Sequence, residues 1–142
     1  MNRTLFFSFF FATLLVMFSS CEKEAKSPVP DVPVYFQGQL TQPDFAPLTN
    51  QFNAIKVANQ GYRRHGVLVY CSEPGNFLAF DATCPRDLLD GSVVITKDKP
   101  FEAVCPICKS VYSLMNFGTT TNGQPLKQYQ VSSSGTVITV TN

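Results

Sequence analysis

The chain has 142 residues, 44% of them hydrophobic and 13% aromatic, enough apolar material for one domain with its own core, which excludes a disordered polymer. Lys and Arg number 11 against 10 Asp and Glu, so no charge excess draws the chain to nucleic acid or to an anionic bilayer surface. Any partner must be recognised through local features.

The first element in chain order is a leader. Asn2 and Arg3 make a short basic start, residues 5–18 an almost unbroken apolar run, and Ser19-Ser20 a small-residue cleavage site, so residues 1–20 read as a secretory signal. The run is shorter than the ~20 residues an uncleaved anchor needs to span a bilayer. Cys21 comes next, and Phe18-Ser19-Ser20-Cys21 resembles the lipobox of bacterial lipoproteins, with Phe18 where an aliphatic residue is usual. The resemblance implies cleavage before Cys21, lipidation of Cys21 and tethering to a membrane leaflet through the acyl chains. It places the chain in the bacterial cell envelope, facing the periplasm or on the cell surface, where disulfides persist.

Residues 21–33 are charged and then proline-rich (Pro28, Pro30, Pro33), which predicts an extended tether ahead of a folded domain over residues 34–142. From Val34 onward, short apolar runs are broken by turn residues with no sustained 3.6-residue period, the pattern of an all-β domain. Residues 35–55 carry scattered aromatics and prolines and predict one strand plus loops. Residues 67–71 and 77–80 predict a hairpin across Pro74-Gly75, and further strands are expected over 92–96, 101–104 and 111–115. Residues 118–125 form a polar loop, and residues 127–131 and 136–141 a closing hairpin around Gly135.

Three cysteines fall in two boxes, Cys84-Pro85-Arg86 and Cys105-Pro106-Ile107-Cys108-Lys109-Ser110-Val111-Tyr112, each in a loop after an apolar strand. Proline after the leading cysteine stiffens each loop. The C-x-x-C spacing of Cys105 and Cys108 lets two sulfurs share one ion, and Cys84 brings a third from the facing loop. Cys71, on a strand, reads as a small core hydrophobe, and His65, the only histidine, as an exposed residue beside Arg63 and Arg64.

From about Gly66 to the C-terminus the chain resembles the Rieske iron–sulfur domain family. Leu78-Ala79-Phe80-Asp81-Ala82-Thr83-Cys84-Pro85 is similar to the family's A-F-x-x-x-C-P-H, the second box to C-P-x-H-G-S-x-Y, and Pro125-Leu126-Lys127-Gln128-Tyr129 precedes a final hairpin as in the family. The resemblance implies a Rieske-like antiparallel β-sandwich with two cysteine-bearing loops. It implies that Cys84 and Cys105 bind one iron of a [2Fe–2S] cluster while positions 86 and 108 bind the other. Arg86 and Cys108 stand where the family has histidines. A thiolate at 108 can ligate iron; the guanidinium at 86 stays protonated and cannot, so Arg86 marks a degenerate ligand position for which Cys71 and Asp87 are the conceivable substitutes. Ser110 and Tyr112 match the family's hydroxyl pair that donates to the cluster and raises its potential. Lys109 replaces a glycine, removing a residue free to take positive φ, and the family's longer loop over the cluster shortens to Asn122-Gly123-Gln124-Pro125.

The function expected from this resemblance is a membrane-anchored electron-transfer module with a variant [2Fe–2S] site and a redox protein as partner. The alternative is a cluster-less binding or structural lipoprotein, its loops joined by a disulfide from Cys84 to one cysteine of the second box, or by zinc held on Cys84, Cys105, Cys108 and a fourth group. No nucleophile and histidine set marks the chain as a catalyst.

Overall fold

A computed structural model describes residues 25–142. The expected signal segment and Cys21, the expected lipidation site, lie outside the described residues. Described residues form eleven antiparallel strands and two short 3-10 turns, and the all-β expectation holds.

The larger unit is a six-stranded sheet. It orders β1 (Tyr35–Gln39), β11 (Val137–Thr141), β10 (Gln128–Ser134), β4 (Asn76–Asp81), β3 (Val67–Glu73) and β2 (Ala54–Val57). The predicted hairpin is β3 and β4, paired from Val67 opposite Asp81 to Glu73 opposite Asn76. The closing hairpin is β10 and β11, and β1 adds to its outer edge. Between β1 and β2 lies a 3-10 turn, Ala46–Thr49, with Pro47 in its first turn, which the sequence pattern did not separate from loop.

β3 is buried at five consecutive positions because both faces of the sheet are covered, which explains its unbroken apolar run where a half-exposed strand would alternate. Val67, Val69 and Cys71 face one core with Ala79, Tyr129, Ile138 and Val140. Phe36 of β1 and Ile55 and Val57 of β2 pack into that same core, so the sheet curls until its two edges share a filling. Leu68, Tyr70 and Phe80 face the opposite way, into a second core with Cys84, Val93, Ala103, Cys105, Tyr112, Leu114 and Leu126. That second core ties the large sheet to a smaller unit carrying both cysteine boxes.

The smaller unit comprises the hairpin of β5 (Thr83–Cys84) with β6 (Asp87–Ser92), and a three-stranded sheet of β7 (Val94–Ile95), β8 (Glu102–Val104) and β9 (Val111–Ser113). One strand predicted over residues 92–96 is therefore two pieces. The chain changes partners at Val93, which is fully buried and donates its N–H to the Ala82 carbonyl at 2.7 Å. Lys56 fixes this junction, its Nζ donating to Ser92 Oγ at 2.7 Å and to the Val93 carbonyl at 2.9 Å.

Packing begins before Val34. Val29 is only 5% exposed, Lys127 pairs with Asp31, and Asn142 donates its side-chain amide to the Val32 carbonyl and its N–H to Val34. The end of the proline-rich segment thus lies along the domain.

Candidate metal centre

Each box sits on a tight strand-to-strand turn of the smaller unit, and the second core brings the two turns face to face. The first turn is Pro85-Arg86 between β5 and β6. Thr83 pairs with Ser92 but Cys84 with Asp87, so residues 88–91 bulge out of the ladder and re-aim Cys84 inward. Gly91 closes the bulge. A Cβ there would sit 2.5 Å from the Asp87 carbonyl oxygen and 2.7 Å from Cys84 Cβ, so any side chain displaces the first box.

The second turn links β8 to β9. Lys109 N–H donates to the Cys105 carbonyl at 2.9 Å, and Cys105 N–H to the Ser110 carbonyl at 3.0 Å, closing a loop that carries both thiols. Lys109 takes φ +61°, the left-handed conformation that glycine occupies without penalty. The turn thus takes positive φ at a lysine, where a glycine was expected to be needed. Lys109 Nζ donates back to the Pro106 carbonyl at 2.6 Å, a local bond that offsets part of the strain.

The sulfurs of Cys84, Cys105 and Cys108 all lie within 4.8 Å of one another, and three cysteines so placed can hold a metal ion. Cys84 Sγ is 3.5 Å from Cys108 Sγ across the two loops. Cys84 and Cys105 are fully buried, whereas Cys108 reaches the surface. No His, Asp, Glu or further Cys among the described residues joins them.

The two predicted hydroxyls touch two of these sulfurs. Tyr112 OH, fully buried, lies 3.3 Å from Cys84 Sγ, and Cys108 Sγ donates to Ser110 Oγ at 3.2 Å. Arg86 Nη1 donates to the same Ser110 oxygen at 3.4 Å, so one hydroxyl separates its guanidinium from the Cys108 sulfur.

The thiols differ in acidity. Burial pushes Cys84 up to about 11, against the hydrogen bonds of Tyr112 OH and the Arg86 N–H. At Cys108 burial also raises the pKa, but the bonds that the ionised sulfur accepts in turn from the Ser110 hydroxyl and N–H, then from Cys84 and Cys105, outweigh it and bring the thiol down to about 7. Burial, then the Cys84 sulfur, holds Tyr112 protonated far above the usual phenol range. A bound cation would drive all three thiols to thiolates.

The other candidates are placed elsewhere. Cys71 is fully buried in the first core and donates to the Glu73 carbonyl at 3.3 Å. Asp87 Oδ1 accepts the Asp90 N–H at 3.1 Å, stiffening the bulge. His65 is half-buried, not exposed as expected, with Nδ1 3.2 Å from Thr83 Oγ1; it supports the residue before Cys84 without approaching the sulfurs.

Sequence reasoning missed Asp81, the residue that orients the first box. It is fully buried, accepts the Thr83 N–H at 2.7 Å on Oδ1, and on Oδ2 the Tyr62 N–H at 2.7 Å and the Tyr129 hydroxyl at 2.6 Å. The signal was a lone acid between Phe80 and Ala82 at the end of an apolar strand. Gly91 was also missed, although a glycine inside a strand marks a close backbone approach.

Searches against protein-family models and against curated proteins find no match to this chain.

Proposed function

We propose that the chain is a Rieske-like module, lipid-anchored in the bacterial envelope through Cys21, whose Cys84, Cys105 and Cys108 hold a single thiophilic cation of the zinc class. The spacing of the three sulfurs carries this reading. Thiolates sharing one tetrahedral ion at about 2.3 Å lie about 3.8 Å apart, and here Cys84 and Cys108 are 3.5 Å apart with all three sulfurs within 4.8 Å. Under the Rieske assignment Cys84 and Cys108 belong to different irons, and the bridging sulfides would hold them farther apart. Three thiolates leave one coordination position for water or a small ligand. The ion would join two loops from separate strands and so stabilise the smaller unit.

A second reading, a variant [2Fe–2S] centre passing electrons to a redox protein, is favoured by one observation. Ser110 and Tyr112 place hydroxyls on the sulfurs of Cys108 and Cys84, at 3.2 and 3.3 Å, as the Rieske family does to tune its cluster. It requires a fourth ligand, which no Cys, His, Asp or Glu among the described residues provides. Metal and acid-labile sulfide analysis of chain purified without oxygen decides between them. One zinc-class ion without sulfide supports the first reading, two irons with two sulfides the second, and neither metal nor sulfide overturns both.

A further inference from the structure

We propose that Cys108 and Cys84 form an oxidisable pair: a hydroperoxide reacts at Cys108, Cys84 closes a disulfide onto it, and the bound metal is discharged. The metal-release step rests on the single-ion reading above; the bridge does not.

The geometry separates the roles of the three thiols. Cys84 and Cys105 are fully buried, so an oxidant arriving from solvent meets Cys108 first. Cys84 Sγ waits 3.5 Å from Cys108 Sγ on the opposite loop. A disulfide needs the sulfurs at about 2.05 Å, so the two sulfurs must approach by about 1.5 Å. Cys105 shares the hydrogen-bonded turn of Cys108, closed by Lys109 N–H to the Cys105 carbonyl at 2.9 Å, whereas Cys84 comes from the facing loop and is the thiol whose bridge would join the two loops. Arg86 donates to Ser110 Oγ, which in turn contacts Cys108 Sγ, so a cation and a hydroxyl flank the sulfur where a leaving oxyanion appears.

The chemistry balances. The Cys108 thiolate attacks the outer peroxide oxygen, the O–O bond breaks, and the departing alkoxide or hydroxide takes a proton from solvent, leaving Cys108 as a sulfenic acid. The Cys84 sulfur then attacks the Cys108 sulfur, the S–O bond breaks and the hydroxide leaves as water, taking the Cys84 thiol proton in the metal-free chain and a solvent proton where Cys84 is a metal-bound thiolate. Two thiols are oxidised and one hydroperoxide is reduced to alcohol and water. Two of the three metal ligands are consumed, and Cys105 alone does not retain the ion.

The test uses the full-length chain, loaded with zinc without oxygen and treated with one equivalent of hydrogen peroxide. Released zinc is read with a chromogenic chelator and the bridge by peptide mapping, and a metal-free sample is mapped in parallel. The expected result is one Cys84–Cys108 bridge for each zinc released, reversed by a dithiol, with Cys71 still reduced. Cys108→Ser, a surface-reaching change, abolishes the bridge and leaves Cys84 a thiol. A dominant Cys105–Cys108 or Cys84–Cys105 bridge overturns the proposal, as does Cys108 oxidised to sulfinic acid with no bridge, or Cys84 oxidised at the same rate in Cys108→Ser. If the chain takes up no zinc, the metal reading fails while mapping of the metal-free sample still decides the pair. If zinc binds but no Cys84–Cys108 peptide forms in either sample, only the oxidisable pair fails.

Discussion

Replacing Asp81 with alanine strips three buried donors of their acceptor at once: the N–H groups of Tyr62 and Thr83 and the hydroxyl of Tyr129. An unsatisfied buried donor costs about 1–3 kcal/mol. Water entering the vacated space relieves part of this, so the expected loss is about 3–6 kcal/mol, much of the stability of a domain this size. Asp81→Asn keeps one acceptor oxygen but turns an amide NH2 toward donors, and should cost about 2 kcal/mol. Tyr129→Phe removes one charge-assisted bond, about 1.5–3 kcal/mol. The chain has no tryptophan and five tyrosines, so urea denaturation is best followed by far-UV circular dichroism. With a slope of about 1.5 kcal/mol per molar urea, Asp81→Ala lowers the midpoint by about 2–4 M. Because Asp81 and Tyr129 share one bond, the double variant Asp81→Asn with Tyr129→Phe should fall short of the summed single losses. An alanine variant within about 1 kcal/mol of the parent, or strict additivity of the pair, would refute the view that this carboxylate organises the first box.

Other expectations follow from the same structure. Gly91→Ala forces its new methyl against the Asp87 carbonyl and Cys84 Cβ, and should weaken metal retention about 10-fold or more in chelator competition; unchanged retention would mean that the bulge does not place Cys84. Lys109→Gly removes a left-handed non-glycine residue, at φ +61°, and should raise urea stability by up to about 1 kcal/mol, a loss of stability being the contrary result. Burial and the Asp81 carboxylate raise Tyr129 above its ordinary value near 10, so the folded chain keeps a proton that the unfolded chain releases above that pH. Stability should therefore fall with rising pH there, by about 1.4 kcal/mol per pH unit from this group, and Tyr129→Phe should flatten the alkaline slope by that amount. Cys21→Ser should move the chain from the membrane pellet to the soluble fraction, whereas retention in washed membranes would contradict lipid anchoring.

Strands with strong composition were legible from the residues alone. The hairpins β3–β4 and β10–β11 stood out because β-branched and aromatic runs flank Pro74-Gly75 and Gly135. β6 escaped notice since Asp87, Leu88, Leu89, Asp90 and Gly91 read as a loop, and its pairing depends on a bulge fixed by contacts with Cys84. β2 was hidden for a different reason: its four residues are nowhere fully buried and pair on one side only. At the site, the three cysteines were readable from spacing, and the two hydroxyls only through the family resemblance. Their nearest pairing was not, because Cys84 meets Cys108 through a tertiary approach of two loops 24 residues apart. A lysine at position 109 argued against positive φ there, yet Lys109 is left-handed, since the hydrogen bonds of Cys105, Lys109 and Ser110 hold it in place.

Metal-edge X-ray absorption of chain purified without oxygen tests the central claim most directly. One ion held by Cys84, Cys105 and Cys108 predicts three sulfur scatterers at about 2.3 Å and no second metal nearby. A first shell of nitrogen and oxygen alone, a metal–metal scatterer, or no stoichiometric metal at all would contradict it.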